Sequence, residues 1–401
     1  MRTSPIRRGG LAAIPAATLL LLAACSSGGD ADTSADEAQA GRAGSGESSA
    51  RVAVSYESGV AVLDGETLEV LADLDSEEFT RLNPAGDGRH VMVTVADGFQ
   101  LLDTGAGKDG AEPRMTDTVY EADTPGHVVP HAGRTVLYAD GTSDSTILET
   151  DDLTGEARTV AGTEAHHGVS LVLEDGTFLT TVGDAETRSG AVAQDASGTT
   201  VAESDQCPGI HGEGTAAGEV VVFGCEDGAL LYADGGFQKL AAPDQPYGRM
   251  GNAYVSESSP LVVGDYKTDP DAEGYLLGAV TVIDTTDGTL EVVDLPDGAD
   301  YTFRGVARGP QDRAFVLGTD GSIHVLDPES RRVVDAFPVI DAWEGPAEWQ
   351  DPHPSLKVHD DVAYVTEPAS KAVHAVDLTT GEVLRTATLD AEPNEMAVAG
   401  D

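Results

Sequence analysis

One unit recurs along most of this chain: a short apolar strand, a tight turn that often contains Asp-Gly, and a second strand that ends in Leu-Asp or a similar pair. Two such runs joined by a tight turn are typical of a β-hairpin. No segment has a long helical period, so the pattern predicts an all-β chain. The clearest copies are GRHVMVTVADGFQLLDT, GRTVLYADGTSDSTILETDD, GEVVVFGCEDGALLYADG, DRAFVLGTDGSIHVLDP and DDVAYVTEPASKAVHAVDL.

The spacing of these hairpins predicts a single β-propeller, because a repeat of about 45 residues is typical of one four-stranded blade. The hairpins would be the second and third strands of the blades. The segments SPLVVGDYKTDPDAEGYLLGAVTVIDTTDG, GTFLTTVGDAETRSGAVAQDASG and RVAVSYESGVAVLDGETLEV are further copies, which brings the count to eight. Seven blades is the alternative, since one weak copy could merge with a neighbour.

The two ends of the repeat complement each other. The final segment, EPNEMAVAGD, has no hairpin after it, and the first hairpin has no strand before it. Pairing them would remove an open sheet edge. We therefore expect the ring to close through the N- and C-terminal strands.

The first residues carry export signals. Arginines precede the apolar run LAAIPAATLLLLAA, as in a secretory signal peptide, and LAAC ending at Cys25 has the form of a bacterial lipobox. A plain signal peptide with a chance cysteine is the alternative. We expect a lipid anchor at Cys25 on the outer face of the bacterial cytoplasmic membrane.

The predicted domain organisation follows from this start. Residues 1–24 are the lipoprotein signal peptide. Residues 25–50 contain the lipidated cysteine and a disordered tether rich in Ser, Gly and acidic residues, which has too few apolar side chains to fold. Residues 51–401 form the propeller.

The formal net charge of the chain is −47. Such a surface repels nucleic-acid phosphates and anionic lipids, which argues against nucleic-acid binding and leaves the lipid anchor as the membrane contact. Cations are the favoured small ligands, although solubility alone would also explain the charge.

Two further cysteines, Cys207 and Cys225, form an even pair in a chain expected to be exported. Such a pair predicts a disulfide, and two metal thiolates are the alternative.

One position at the start of each blade is repeatedly basic. Equivalent residues in adjacent blades converge on the channel axis, so His127, His167 and His211 are predicted to meet at one point. Three neutral imidazoles with a carboxylate or water suit Zn²⁺, although imidazoles also accept copper and nickel. A polar lining that holds only water is the alternative. The full series is Arg81, His127, His167, His211, Arg249, Arg304 and His353.

Several other side chains are candidates for a fourth ligand, or for a hydrogen-bond acceptor that orients an imidazole. Protonation of the histidines below about pH 6 is expected to weaken metal binding. The candidates are Asp123, Glu164, Glu213, His166 and His353.

The segments TPGHVVPH, HHGVSLVLEDGTF and CPGIHGEG, with the cysteine pair and the lipobox, resemble the AztD-type zinc metallochaperones. The resemblance implies an extracytoplasmic propeller that holds Zn²⁺ and passes it to the zinc-binding protein of an ABC importer. It implies that the zinc ligands in this chain are His127, His167 and His211 alone. The tether at residues 26–50 contains no histidine, unlike the His-rich segment associated with Gram-negative members, which leaves the capture step open.

The leading prediction is therefore a monomeric, non-catalytic zinc chaperone. A metal-dependent propeller lactonase or lyase is one alternative, but such enzymes need an open metal position with a nearby acid or base. When their metal is Ca²⁺, they also need oxygen ligands. The channel position here carries His and Arg instead. A metal-free interaction scaffold is the other alternative.

Overall fold

The computed structural model describes residues 50–107 and 111–400. These residues form β-strands and four short 3-10 helices, without an α-helix, and the strands make seven four-stranded sheets and one five-stranded sheet. The chain is an eight-bladed β-propeller. The predictions of an all-β chain and of eight blades are confirmed, and the seven-bladed alternative is wrong.

The strands of the first half are, in chain order, β1 (Arg51–Tyr56), β2 (Gly59–Asp64), β3 (Val70–Asp75), β4 (Leu82–Pro84), β5 (His90–Val95), β6 (Gly98–Asp103), β7 (Arg114–Glu121), β8 (Pro125–His131), β9 (Arg134–Ala139), β10 (Asp144–Glu149), β11 (Arg158–Val160), β12 (Ser170–Val172), β13 (Phe178–Gly183), β14 (Arg188–Gln194) and β15 (Thr200–Ser204).

Those of the second half are β16 (His211–Ala216), β17 (Val220–Cys225), β18 (Asp227–Ala233), β19 (Gly236–Ala241), β20 (Gly248–Arg249), β21 (Ala253–Tyr254), β22 (Leu261–Tyr266), β23 (Ala279–Asp284), β24 (Thr289–Asp294), β25 (Val306–Arg308), β26 (Ala314–Leu317), β27 (Ser322–Asp327), β28 (Arg332–Pro338), β29 (Leu356–His359), β30 (Val362–Glu367), β31 (Ala372–Asp377), β32 (Val383–Thr388) and β33 (Met396–Ala399). The 3-10 helices are Thr150–Asp152, Phe303–Gly305, Pro310–Asp312 and Pro368–Ser370.

Blade 1 contains β33, β1, β2 and β3, and blades 2 to 8 begin at β4, β8, β12, β16, β21, β25 and β29. Short β20 is an addition to blade 5, where it pairs with β18. Each hairpin recognised in the sequence forms the second and third strands of a blade, as predicted.

Burial follows the position of a strand within its blade. The second strand of blade 6, β22, is buried along its whole length, whereas the fourth strand of blade 7, β28, is mostly exposed. The first strands of neighbouring blades contact one another around most of the ring, which places them innermost. The apolar core lies between blades, as where Val62 of blade 1 packs in one cluster with Val91 and Leu102 of blade 2.

The ring closes through blade 1. Strand β33 pairs antiparallel with β1, with Val54 opposite Met396 and Arg51 opposite Ala399. The predicted closure by the two terminal strands is confirmed.

The predicted signal peptide, the lipidated Cys25 and all of the tether except its last residue lie outside the described residues. In the part of the chain that the structure describes, no helix has the length and apolar character needed to cross a membrane.

Candidate metal site

Three histidine rings from three adjacent blades meet at the inner strands. His127 lies in β8, His167 directly precedes β12, and His211 begins β16. One ring nitrogen of each lies within 4.8 Å of the corresponding nitrogens of the other two. The Nε2 atoms of His167 and His211 are 3.0 Å apart. The structure thus brings together the three side chains chosen from the repeat.

Strand irregularities accompany two of these histidines. The register of β8 with β9 shifts between Pro125 and Val128, and that of β16 with β17 shifts between His211 and Glu213. A β-bulge re-aims a side chain next to it. The inward aim of His127 and His211 therefore depends on local breaks in regular pairing.

Two of the rings are oriented by hydrogen bonds from Nδ1 to an oxygen atom. The Nδ1 of His167 lies 2.6 Å from Oδ2 of Asp140, and the Nδ1 of His211 lies 2.5 Å from the carbonyl oxygen of Gly251. Both oxygens only accept, so each Nδ1 carries a proton. A metal-binding histidine is commonly held in this way, which leaves Nε2 for the metal.

Close backbone approach makes the second of these contacts possible. Gly212 has a φ of +61°, and a Cβ there would lie 2.3 Å from the carbonyl oxygen of Gly251. Glycine is the residue that permits both the conformation and the distance.

Glu213 lies beside the ring of His127, and the distance from its Oε2 to Nδ1 of His127 is 3.6 Å. Burial raises the pKa of Glu213 to about 8. The carboxyl group is therefore largely protonated at neutral pH and becomes an ionised acceptor when a positive charge arrives nearby.

Two imidazoles are held neutral by their surroundings. Burial, together with His211 and His167, lowers the pKa of His127 well below its ordinary value. Burial lowers the pKa of His211 to about 3, against the opposing hydrogen bond to Gly251. These two residues are therefore expected to become protonated at a lower pH than the value of about 6 that the sequence suggests.

His166 does not belong to the cluster. Its Nε2 lies 3.1 Å from the hydroxyl of Tyr138 and 3.0 Å from that of Thr181, and its Nδ1 lies 2.9 Å from Oγ of Ser143. Both ring nitrogens thus have hydroxyl partners, from blades 3 and 4. Of the two adjacent histidines in the sequence, His166 therefore has a structural role.

The other candidates lie apart from the three rings. Asp123 and Glu164 are exposed, and Asp123 accepts a hydrogen bond from the hydroxyl of Thr124. His353 is buried next to Arg304. None of these four candidates, His166 included, lines the cavity that the three rings face.

That cavity has a volume of about 660 Å³. A larger groove of about 870 Å³ between blades 2 and 3 contains none of the three histidines. Besides the three rings and Glu213, the lining of the smaller cavity includes Arg81, Arg249, Tyr254, Tyr275, Phe303 and Trp349.

The repeated channel position has an eighth member that sequence reasoning missed. Glu395 directly precedes β33, and its carboxylate lies 2.9 Å from Nη2 of Arg304, with Arg81 also nearby at 3.5 Å. Burial would raise the pKa of Glu395, but the charges of Arg81, Arg304 and Lys357 hold it below its usual value. The absence of a hairpin after this segment hid the equivalence.

A disulfide joins Cys207 to Cys225, with their Cα atoms 5.0 Å apart, as predicted. It connects the segment before β16 to the end of β17, and His211 lies between the two cysteines in the chain.

Comparison with known proteins gives one curated relative and several structures of similar fold. No protein-family model matches the chain. The curated zinc chaperone AztD of Citrobacter koseri is 26% identical over 320 residues, which cover 77% of this chain and 74% of that protein. The solved structure of apo AztD from Citrobacter koseri aligns with a TM-score of 0.75 and 20% identity over 88% of this chain and 98% of its own.

The resemblance to the AztD-type chaperones is confirmed. A structure of dihydro-heme d1 dehydrogenase NirN has a TM-score of 0.58 at 13% identity over 88% of this chain and 75% of its own, and so shares only the fold. The structural likeness to AztD is also below a quarter identity and shows the fold alone.

The three histidines of this chain fit a metal ion that prefers imidazole ligands. Three converged imidazoles, two of them with Nδ1 committed to an acceptor, are the nitrogen set that suits Zn²⁺ at about 2.0 to 2.1 Å. The residues that complete the arrangement, Asp140 and the Gly251 carbonyl, were not predicted. Asp140 lies in the Asp-Gly turn after β9, at the same end of blade 3 as the start of β8, because consecutive strands are antiparallel.

Proposed function

We propose that this protein is an extracytoplasmic zinc chaperone that holds Zn²⁺ at His127, His167 and His211. The observation that carries this proposal is the convergence of the three ring nitrogens within 4.8 Å. The name of the curated relative, zinc chaperone, supports the choice of metal and a non-catalytic role.

The chain's own groups define how the metal would be bound. His167 and His211 present Nε2, since Nδ1 of each donates to Asp140 or Gly251. Glu213 stands beside His127 as the nearest carboxyl group. Three protein nitrogens leave one position of a tetrahedral zinc ion on the cavity side, where a ligand from another molecule can reach it.

The partner and location belong to the same proposal. The protein would act as a monomer, anchored by the lipid on Cys25, and deliver zinc to the zinc-binding protein of an ABC importer. A net charge of −47 concentrates cations near the surface, which compensates for a tether without histidine.

Metal analysis of the full chain, purified without an affinity tag, tests the site. We expect one equivalent of zinc in the wild type and none in a His127→Ala, His167→Ala, His211→Ala variant. The control variant His90→Ala, His131→Ala, His359→Ala loses the same number of imidazoles elsewhere and should retain one equivalent. A wild type that neither contains zinc nor binds added zinc would contradict the proposal.

Transfer requires its own experiment. The zinc-loaded protein is mixed with the metal-free importer protein, and zinc arrival is followed against a chelator of equal affinity. Direct transfer predicts a rate that rises with importer-protein concentration and exceeds the rate to the chelator. Equal rates, independent of acceptor concentration, would show simple dissociation instead.

A further inference from the structure

The cavity in front of the three imidazoles is locally basic in a very acidic protein. Among the described residues that line it, the permanently charged cations are Arg81 and Arg249, and the one carboxyl group is Glu213. Even with Glu213 ionised, the lining has a net charge of +1, whereas the chain has −47. Neutral imidazoles do not offset this charge.

Arg81 is held in place mainly by aromatic rings. Its guanidinium carbon lies 5.5 Å from the ring centroid of Trp349 and 6.0 Å from that of Phe303, distances at which a cation is attracted to a ring face. On one side, its Nε lies 3.5 Å from Glu395. Within the described part of the chain, no group accepts a hydrogen bond from this guanidinium. It therefore retains donors for another molecule.

Arg249 also has N–H donors that make no hydrogen bond among the described residues. Its Nη1 donates to the carbonyl oxygen of Gly209 at 3.3 Å and lies 3.8 Å from the carboxylate of Glu226. A guanidinium has five N–H donors, so most of its capacity remains for a planar oxyanion.

A zinc ion bound by neutral imidazoles would raise the net charge of the lining to +3. Three carboxylates that contact lining residues without lining the cavity, those of Asp140, Glu226 and Glu395, offset part of this charge. Like charges in a partly enclosed cavity repel one another, and the cost falls when an anion is bound with the metal. A carboxylate is suited to this place because one oxygen can bind the metal while the other accepts hydrogen bonds from a guanidinium.

We propose that a small organic carboxylate enters this cavity as the fourth zinc ligand and is held there by Arg81 and Arg249. This inference rests on the proposed zinc site. Tyr275, Phe303 and Trp349 provide an apolar wall for the body of the acid. The cavity volume of about 660 Å³ lies in the range of small-molecule pockets.

The test uses the full chain loaded with Co²⁺, whose visible spectrum reports its ligands. Titration with benzoate should change the spectrum in a saturable way, whereas benzamide, a neutral molecule of similar shape, should not. Acetate should bind more weakly than benzoate, because it lacks the ring that would contact the aromatic wall.

Variants separate this inference from the zinc site itself. Arg81→Gln and Arg249→Gln should each keep one equivalent of Co²⁺ and bind benzoate at least tenfold more weakly. The control Arg385→Gln removes the same charge from an exposed position on β32 and should bind benzoate like the wild type. Equal benzoate affinity in all four proteins, with Co²⁺ bound, would overturn the carboxylate site alone. Failure of the wild type to bind Co²⁺ would overturn both proposals.

Discussion

The orientations of two of the three imidazoles depend on oxygen atoms that belong to different elements from the rings themselves. His167 precedes β12 of blade 4, whereas its acceptor Asp140 follows β9 of blade 3. His211 begins β16, and its acceptor Gly251 precedes β21 of blade 6. Packing between neighbouring blades therefore sets the geometry of the candidate metal site.

Replacement of Asp140 by Asn should weaken zinc binding about 10- to 100-fold, because the His167 ring loses the charged acceptor that orients it. Competition with a chromophoric chelator measures the change in Kd. Asp123→Asn, an exposed aspartate in the loop before β8, is the matched control and should leave Kd within twofold. Equal losses in both variants would show that the effect is not specific to Asp140.

Zinc binding should release close to one proton at pH 7. Burial raises the pKa of Glu213 to about 8, so its carboxyl group is mostly protonated before the metal arrives. The charge of zinc favours the ionised form and lowers that pKa. Affinity should consequently rise with pH up to about 8 and then level off, since above that value no proton remains to be displaced.

Calorimetry in buffers of different ionisation enthalpy counts the released protons. In Glu213→Gln the count should fall by about one, and the pH dependence below 8 should flatten. His127 and His211 contribute little, because their pKa values lie far below 7. An unchanged proton count in the variant would contradict this assignment.

The site residues that occupy a repeated position could be predicted from the sequence, whereas those without a repeated position could not. His127, His167 and His211 occupy one recurring position, so register alone placed them together. Asp140 and the Gly251 carbonyl have no repeating signal, and one of them is a backbone atom. The candidates Asp123 and Glu164 were chosen for closeness in sequence, but contacts between blades do not follow sequence distance.

At the scale of elements, the disulfide braces the strand that carries His211. It closes a loop with a sequence separation of 18, and a loop of this length is worth about 3 kcal/mol through restriction of the unfolded chain. The Cys207→Ser, Cys225→Ser variant should lose about that much free energy of unfolding, measured by urea denaturation. Reduction of the wild type should produce the same loss, and an unchanged midpoint in both cases would contradict a stabilising role.

Elements differed in how well the sequence indicated them. Hairpins such as β5–β6 have long apolar runs and an Asp-Gly turn, so they were found directly. Several inner strands are shorter: β4 and β12 have three residues each, and β21 has two. Segments of this length hold too few residues for an alternation pattern, and they are defined by the blades around them.

At the scale of the whole molecule, ring closure combines a strand pair with a buried charge pair. Glu395 and Arg304 are 6% and 4% exposed, and they join blade 1 to blade 7 across the inner ring. Removal of one member of such a pair leaves a buried charge without compensation, which typically costs about 3 to 5 kcal/mol.

Glu395→Gln should therefore lower the free energy of unfolding by about 3 kcal/mol. Urea denaturation measures this, with Glu392→Gln, an exposed neighbour in the same segment, as a control expected to change by less than about 0.5 kcal/mol. A variant at position 395 as stable as the control would show that pairing of β33 with β1 suffices for closure.

The open side of the three-imidazole cluster has a kinetic consequence. The protein covers only one side of the proposed metal. An incoming ligand could therefore bind zinc before any histidine dissociates from it, as in associative ligand exchange. Zinc would then pass through mixed-ligand intermediates and avoid the barrier of bare dissociation. A metal that is bound with high affinity could in this way still be transferred quickly, but only to a molecule whose shape allows it to enter the cavity.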